Sequence, residues 1–210
     1  MRNPGEFCRE ALGLEPYEKQ SEVLMAMASH QRVVLAIGRR GGKTTMTAAW
    51  SVYDSVLRDL RGYSRPNEPR YVLLVAASLG QARSLFRTIS DMFKVPDLAG
   101  MVLSETMDEI RIKNIHGELV VLRVMPCSDR STRGLPVSTL ILEEIASYMD
   151  TSGHASGESV YRALAPSVAQ YGADGRIIAV SSPRGQRGVF YRLYQRAKDT
   201  EGEYALNCPS

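Results

Sequence analysis

The stretch VVLAIGRRGGKTTMTAAW, residues 33–50, decides how the chain is read. With Arg32 in front, its first part is a short apolar run, RVVLAI at 32–37. A run this short, unbroken and β-branched reads as a buried strand. From Thr44 the period changes: Met46, Ala49, Trp50, Tyr53, Val56, Leu57 and Leu60 recur at helical spacing, and Gly62 ends the run. Between strand and helix lies a glycine-rich turn. Backbone N–H groups of such a turn, together with the helix N-terminus, cradle phosphate oxygens. Lys43 is placed to reach the β- and γ-phosphates of a nucleotide, and the Thr44 hydroxyl to ligate Mg²⁺. The usual spacing G-x-x-x-x-G-K-S/T puts a glycine where Ile37 stands. Here the nearest one, Gly38, comes one place late, and Arg39 and Arg40 follow it.

Working outward, YVLLVAAS (71–78) is a second buried strand, and Ser78 with Gln81 predicts a capping box for a helix carrying Ala82, Leu85, Phe86, Ile89 and Phe93. EIRIKN and ELVVLRV flank IHG as a hairpin, and STLILEE (138–144) is a buried strand ending in two acids. GESVYRALAPSVAQYG reads as a helix interrupted at Pro166, GRIIAVSSP (175–183) as another buried strand, and GVFYRLYQRAK as a last helix. Buried strands alternating with helices imply a parallel α/β sheet, with the hairpin as an elaboration. No linker divides residues 1–210, so a single domain is expected, with residues 1–31 as an N-terminal extension.

Composition excludes several classes. With 44% apolar and 23% charged residues the chain is an ordinary soluble globular protein. At 210 residues it buries enough surface to fold without disulfides or structural metal. Cys8, Cys127 and Cys208 are an odd number and far apart, which suits a reducing cytosol and no zinc site. No apolar run approaches the ~20 residues of a membrane span. Net charge is +3, yet arginine outnumbers lysine roughly four to one. That permits nucleic-acid binding without showing it.

The second half of a phosphoryl-transfer site is an acid at the tip of a buried strand, and LILEE supplies two. Glu143 would hold Mg²⁺ and Glu144 would polarise the attacking water. Adjacent carboxylates after three apolar residues are costly unless they bind a cation or face solvent. In AVSSPRG, Ser181 and Ser182 end a strand where hydroxyls can sense the γ-phosphate or the water.

In this order the motifs resemble the ATPase domain of the large terminase subunit, the genome-packaging motor of tailed double-stranded DNA viruses. That family often carries a shortened loop, G-R-x-x-G-K-S/T, matched by Gly38, Arg39, Arg40, Gly41, Gly42, Lys43 and Thr44, with Thr45 next. The resemblance implies that Arg39 swings toward the γ-phosphate or Glu144. It implies that EPYEKQ reads adenine, with Tyr17 near the ring and Gln20 as the hydrogen-bonding amide. It makes Arg133 a finger inserted into a neighbouring subunit's site, with Arg130 as its competitor. The implied fold is a P-loop NTPase of the RecA-type class with an additional catalytic strand, IIAVSS lying between the loop strand and the acid strand. The implied cofactors are ATP and Mg²⁺. The implied partners are double-stranded DNA, a homo-oligomeric ring (a pentamer in the family), the portal protein and the small terminase subunit, all in the host cytoplasm. Glu143 departs from the aspartate usual at the metal position. The nuclease domain that follows in the family has no counterpart within residues 1–210. The rival reading is a helicase-like ATPase acting on nucleic acid, although such enzymes pair two cores. A non-hydrolysing nucleotide-binding module is a third, and Glu144 argues against it. Residues 184–198, with five basic side chains, are the expected DNA-contact segment.

Overall fold

The computed structural model describes residues 3–38, 41–63, 65, 67–128, 134–149, 154, 156–183 and 185–208. In chain order, helices α1 (Pro4–Glu10) and α2 (Glu18–Ser29) precede strand β1 (Arg32–Ile37) and helix α3 (Lys43–Leu57). Then come β2 (Arg70–Ala76), α4 (Leu79–Phe93), the short α5 (Pro96–Ala99), and strands β3 (Val102–Glu105), β4 (Glu109–Lys113), β5 (Leu119–Pro126) and β6 (Val137–Glu143). A 3₁₀ turn (Ile145–Ser147), α6 (Gly157–Leu164), a 3₁₀ run (Ala165–Asp174), β7 (Arg176–Ser181), α7 (Gly188–Asp199) and β8 (Glu203–Cys208) complete it.

Among the described residues the strands form one eight-stranded sheet in the order β3-β4-β5-β2-β6-β7-β1-β8. From β5 to β8 every neighbouring pair is parallel, and the β3-β4-β5 end is antiparallel. The expected hairpin is β4 and β5, pairing Glu109 with Arg123 and Lys113 with Leu119. The insertion of β7 between β6 and β1, expected of the additional-strand class, is present.

Strand alternation sorts the core into two layers. Val33, Leu35, Val72 and Leu74 face the helices α1 to α4 and pack with Leu24, Trp50 and Leu85. Val34, Ala36, Leu73 and Val75 face the other way, toward Tyr148, Leu164, Val168 and Phe190. All seven residues of β6 are buried, as a parallel strand covered on both faces requires.

The helix read from Thr44 through Leu60 ends earlier, at Leu57. Arg58 leaves it in an extended conformation, and its guanidinium turns into the core beside Asp54 at 2.5 Å. Arg70, the first residue of β2, reaches the other Asp54 oxygen at 3.0 Å. Thr139 donates to Asp54 at 3.0 Å, and Arg58 also binds the Asp174 carbonyl. This buried cluster joins α3 to the N-terminal ends of β2 and β6. The C-terminal ends of the strands, where α/β proteins bind ligands, are left for the site.

Candidate active site

Gly41 and Gly42, in the loop that leaves β1, each have a steric reason. A side chain at Gly41 would meet Ile37 Cγ2 at 2.5 Å. Gly42 has φ +73°, and a side chain there would meet the Gln20 amide nitrogen at 2.4 Å. Gln20 stands in the first turn of α2, where its Oε1 accepts from Tyr17 N at 3.3 Å. The Tyr17 hydroxyl donates to Gly41 O at 3.3 Å. The two residues expected to read adenine therefore lie against the loop, with Tyr17 exposed. Arg39 and Arg40 lie outside the described residues, as do Arg130 and Arg133.

Lys43 opens α3 with its ammonium turned back over the loop. It donates to Ile37 O (3.1 Å), Gly38 O (3.0 Å) and Ser182 Oγ (3.0 Å), and stands 3.4 Å from Glu144 Oε1.

The two acids part company at the end of β6. Consecutive strand residues point to opposite faces, and Glu143 is the last of the strand. Glu144 takes a left-handed conformation, φ 56° and ψ 37°, uncommon for a residue with a side chain. Its N–H donates to Val180 O at 2.7 Å, which locks the turn onto β7. The carboxylate is thereby aimed at the β7 tip. Oε2 accepts from Ser181 Oγ and Ser182 N, both at 3.2 Å, and Oε1 accepts from Ser182 Oγ at 3.3 Å. The two serines thus hold Glu144, and Ser182 also touches Lys43.

Glu143 is buried and turns toward α3, where the Thr47 hydroxyl donates to its Oε1 at 3.2 Å. Burial pushes the Glu143 carboxyl up; hydrogen bonds from Thr44 and Thr47 oppose that, and the Glu144 charge adds to it.

The open space in front of these groups measures about 940 Å³ and is lined by Gly41, Gly42, Lys43, Thr44, Thr45, Glu144 and Ser182. That is ample for a nucleotide. Its far wall was not anticipated: Ala77, Ser78 and Gln81 from the β2–α4 junction, with Ser147 and Met149. Ser78 and Gln81 were legible only as a cap, and Ser78 Oγ does accept from Gln81 N at 3.3 Å. Thr47 was also missed, because a helical threonine carries no signal of its own.

The residues fit Mg²⁺ and a phosphate chain. Among the described residues no cluster of three or more His, Cys, Asp or Glu exists. One buried carboxylate beside one hydroxyl is the donor set of a Mg²⁺ that keeps waters and takes phosphate oxygens. Among the described residues no helix is long and apolar enough to cross a membrane.

A mostly parallel sheet in which β1 feeds a glycine loop into Lys-Thr at a helix start, with an acid at the tip of β6, defines a P-loop NTPase fold. Residues 5–210 match the family described as "Uncharacterized protein MJ0330, N-terminal P-loop domain", and the chain belongs to that family. Among solved structures, the HK97 bacteriophage large terminase is similar with TM-score 0.71 and 15% identity, over 98% of this chain and 43% of that one. The Thermus phage P74-26 large terminase ATPase domain is similar with TM-score 0.71 and 18% identity, over 100% of this chain and 87% of that one. The DUF1998 helicase MrfA is similar with TM-score 0.52 and 14% identity, over 100% of this chain and 33% of that one. No curated protein matches the sequence. The fold is that of the large terminase ATPase domains, as the motifs implied, and a P-loop of this build binds a nucleotide.

Proposed function

We propose that the chain is an ATP-hydrolysing motor domain that translocates double-stranded DNA, of the kind that packages viral genomes. The observation that supports it most is the joint hold of Lys43 and Glu144 on Ser182, at the tip of a strand inserted between the loop strand and the acid strand. In this reading a phosphate-binding cation and a water-activating carboxylate stand on the two sides of one hydroxyl.

Lys43 exchanges the loop carbonyls and Glu144 for β- and γ-phosphate oxygens. The loop N–H groups and the α3 N-terminus stabilise the charge that develops on the transferred group. Glu144 orients the attacking water and takes its proton, held in place by Ser181 and Ser182. When bound, Mg²⁺ would supply positive charge to offset that of the phosphates; Thr44 and Glu143 are the residues that would hold it. Tyr17 and Gln20 select adenine. Arg39 couples hydrolysis to movement, and Arg133 completes a neighbour's site in a homo-oligomeric ring, a pentamer in the family. In that setting the domain works in the host cytoplasm with the portal protein and the small terminase subunit. It is one ATPase domain over residues 1–210, with residues 1–31 supplying the adenine segment.

A helicase-like ATPase is the second reading, supported by the likeness to MrfA. Strand separation separates the two: a packaging motor stimulated by duplex DNA leaves the strands paired, and a helicase parts them.

A further inference from the structure

We propose that Thr47 is a positioning residue for the divalent cation, seating the Glu143 carboxylate, and that the two side chains are matched in length. The inference rests on the ATPase reading above and concerns how its cation site is built.

Thr47 lies one turn along α3 from Lys43 and Thr44, on the same helix face. Its side chain is fully buried. The hydroxyl is 3.1 Å from both Lys43 O and Thr44 O and 3.2 Å from Glu143 Oε1. It has one proton for three acceptors. A hydrogen bond to an ionised carboxylate is roughly twice as strong as one to a neutral carbonyl, so the proton goes to Glu143. Burial in that position disfavours the charged carboxylate, and a donor from the protein offsets part of the cost. With Oε1 fixed, the direction of the second oxygen follows from the planarity of the group.

Length is what makes the pair work. Glu143 ends β6, and its side chain spans the gap to the second turn of α3. An aspartate is one methylene shorter, about 1.5 Å by standard bond lengths, and would leave Thr47 with only the helix carbonyls. Thr47 and Glu143 therefore act as a unit, and units show non-additive mutations.

The test is a fluorescent ATP analogue titrated in Mg²⁺ and again in EDTA, with the Mg²⁺ midpoint measured at fixed analogue. Thr47→Val, which keeps the shape, should raise that midpoint about 10-fold, the lower end for a hydrogen bond to a charged group. Its affinity in EDTA and its melting temperature should stay near wild type, and Thr47→Ser should restore the midpoint. Glu143→Asp should raise it as well, and adding Thr47→Val to Glu143→Asp should change nothing further. A wild type that binds with Mg²⁺ beside a Thr47→Val that matches it overturns the inference alone, as does a fully additive double variant. A wild type with no Mg²⁺-dependent binding overturns the ATPase reading as well.

Discussion

The Lys43 ammonium lies 3.4 Å from the Glu144 carboxylate, and both groups bind the Ser182 hydroxyl. In the proposed reaction phosphate and Glu144 compete for that one cation. Glu144→Gln removes the competitor and keeps a hydrogen-bonding amide. It should bind nucleotide at least as tightly as wild type while turnover falls by roughly 10²–10⁴, the usual contribution of a general base. Lys43→Ala should lose binding itself. A fluorescent ATP analogue and a phosphate assay measure the two quantities separately. Wild-type turnover in Glu144→Gln would move the base elsewhere, first to Glu143.

At the other end of the sheet, Asp54 holds two arginines. Burial alone would raise its carboxyl, but Arg58 and Arg70 outweigh that and keep it below the usual carboxylate value. Removing one partner of a buried charge cluster costs about 3–5 kcal/mol. For a domain of this size Asp54→Asn should then melt about 6–20 °C lower. The sign with pH follows from the depressed folded value. The unfolded value is about 3.9, so the stabilisation is full above about pH 4 and lost as pH falls through the folded value. Melting curves from pH 7 to pH 2 should show wild type losing this margin to acid and Asp54→Asn lacking that part of the slope.

Arg133 is expected to serve a neighbour's nucleotide. An arginine finger is worth roughly 10³–10⁵ in rate, so dilute protein should hydrolyse slowly and specific activity should rise with concentration. Arg133→Ala should still bind ATP through Lys43 and Thr44. Mixed with Lys43→Ala, it should regain activity, because one partner brings the arginine and the other the pocket. A dead mixture beside a concentration-dependent wild type would place Arg133 in its own site or in a structural role, with Arg130 next.

DNA binding should be weak, indifferent to sequence and steeply salt-dependent. Within 184–198 ion pairing narrows the candidates: Arg192 is paired with Glu158, and Arg196 lies 3.1 Å from Glu203. Arg187 and Lys198 are exposed, whereas Arg184 lies outside the described residues. Filter binding at several salt concentrations should show Arg187→Ala and Lys198→Ala each lowering the log–log salt slope by about 1. Arg192→Ala and Arg196→Ala should leave it nearly unchanged. A strong preference for one DNA sequence would count against a translocase.

The sheet's parallel centre was legible because each strand is a short buried run and each loop carries a turn signal. β8 was not: EYALNC carries a glutamate and an asparagine, sits half-buried at an edge, and pairs with β1 only through the fold. The acids at 143 and 144 were readable as a pair, but not the left-handed turn that separates their directions. Thr47 illustrates the general limit. It meets Glu143 across 96 residues of chain, and no local pattern announces such a contact.

The most direct test of the central claim is phosphate release from ATP and Mg²⁺ by wild-type protein over a concentration series, with and without double-stranded DNA, beside Glu144→Gln. A P-loop motor predicts release that rises with concentration, is stimulated by duplex DNA of any sequence, and is nearly abolished in Glu144→Gln. No release by wild type at any concentration, or equal release from Glu144→Gln, would contradict it.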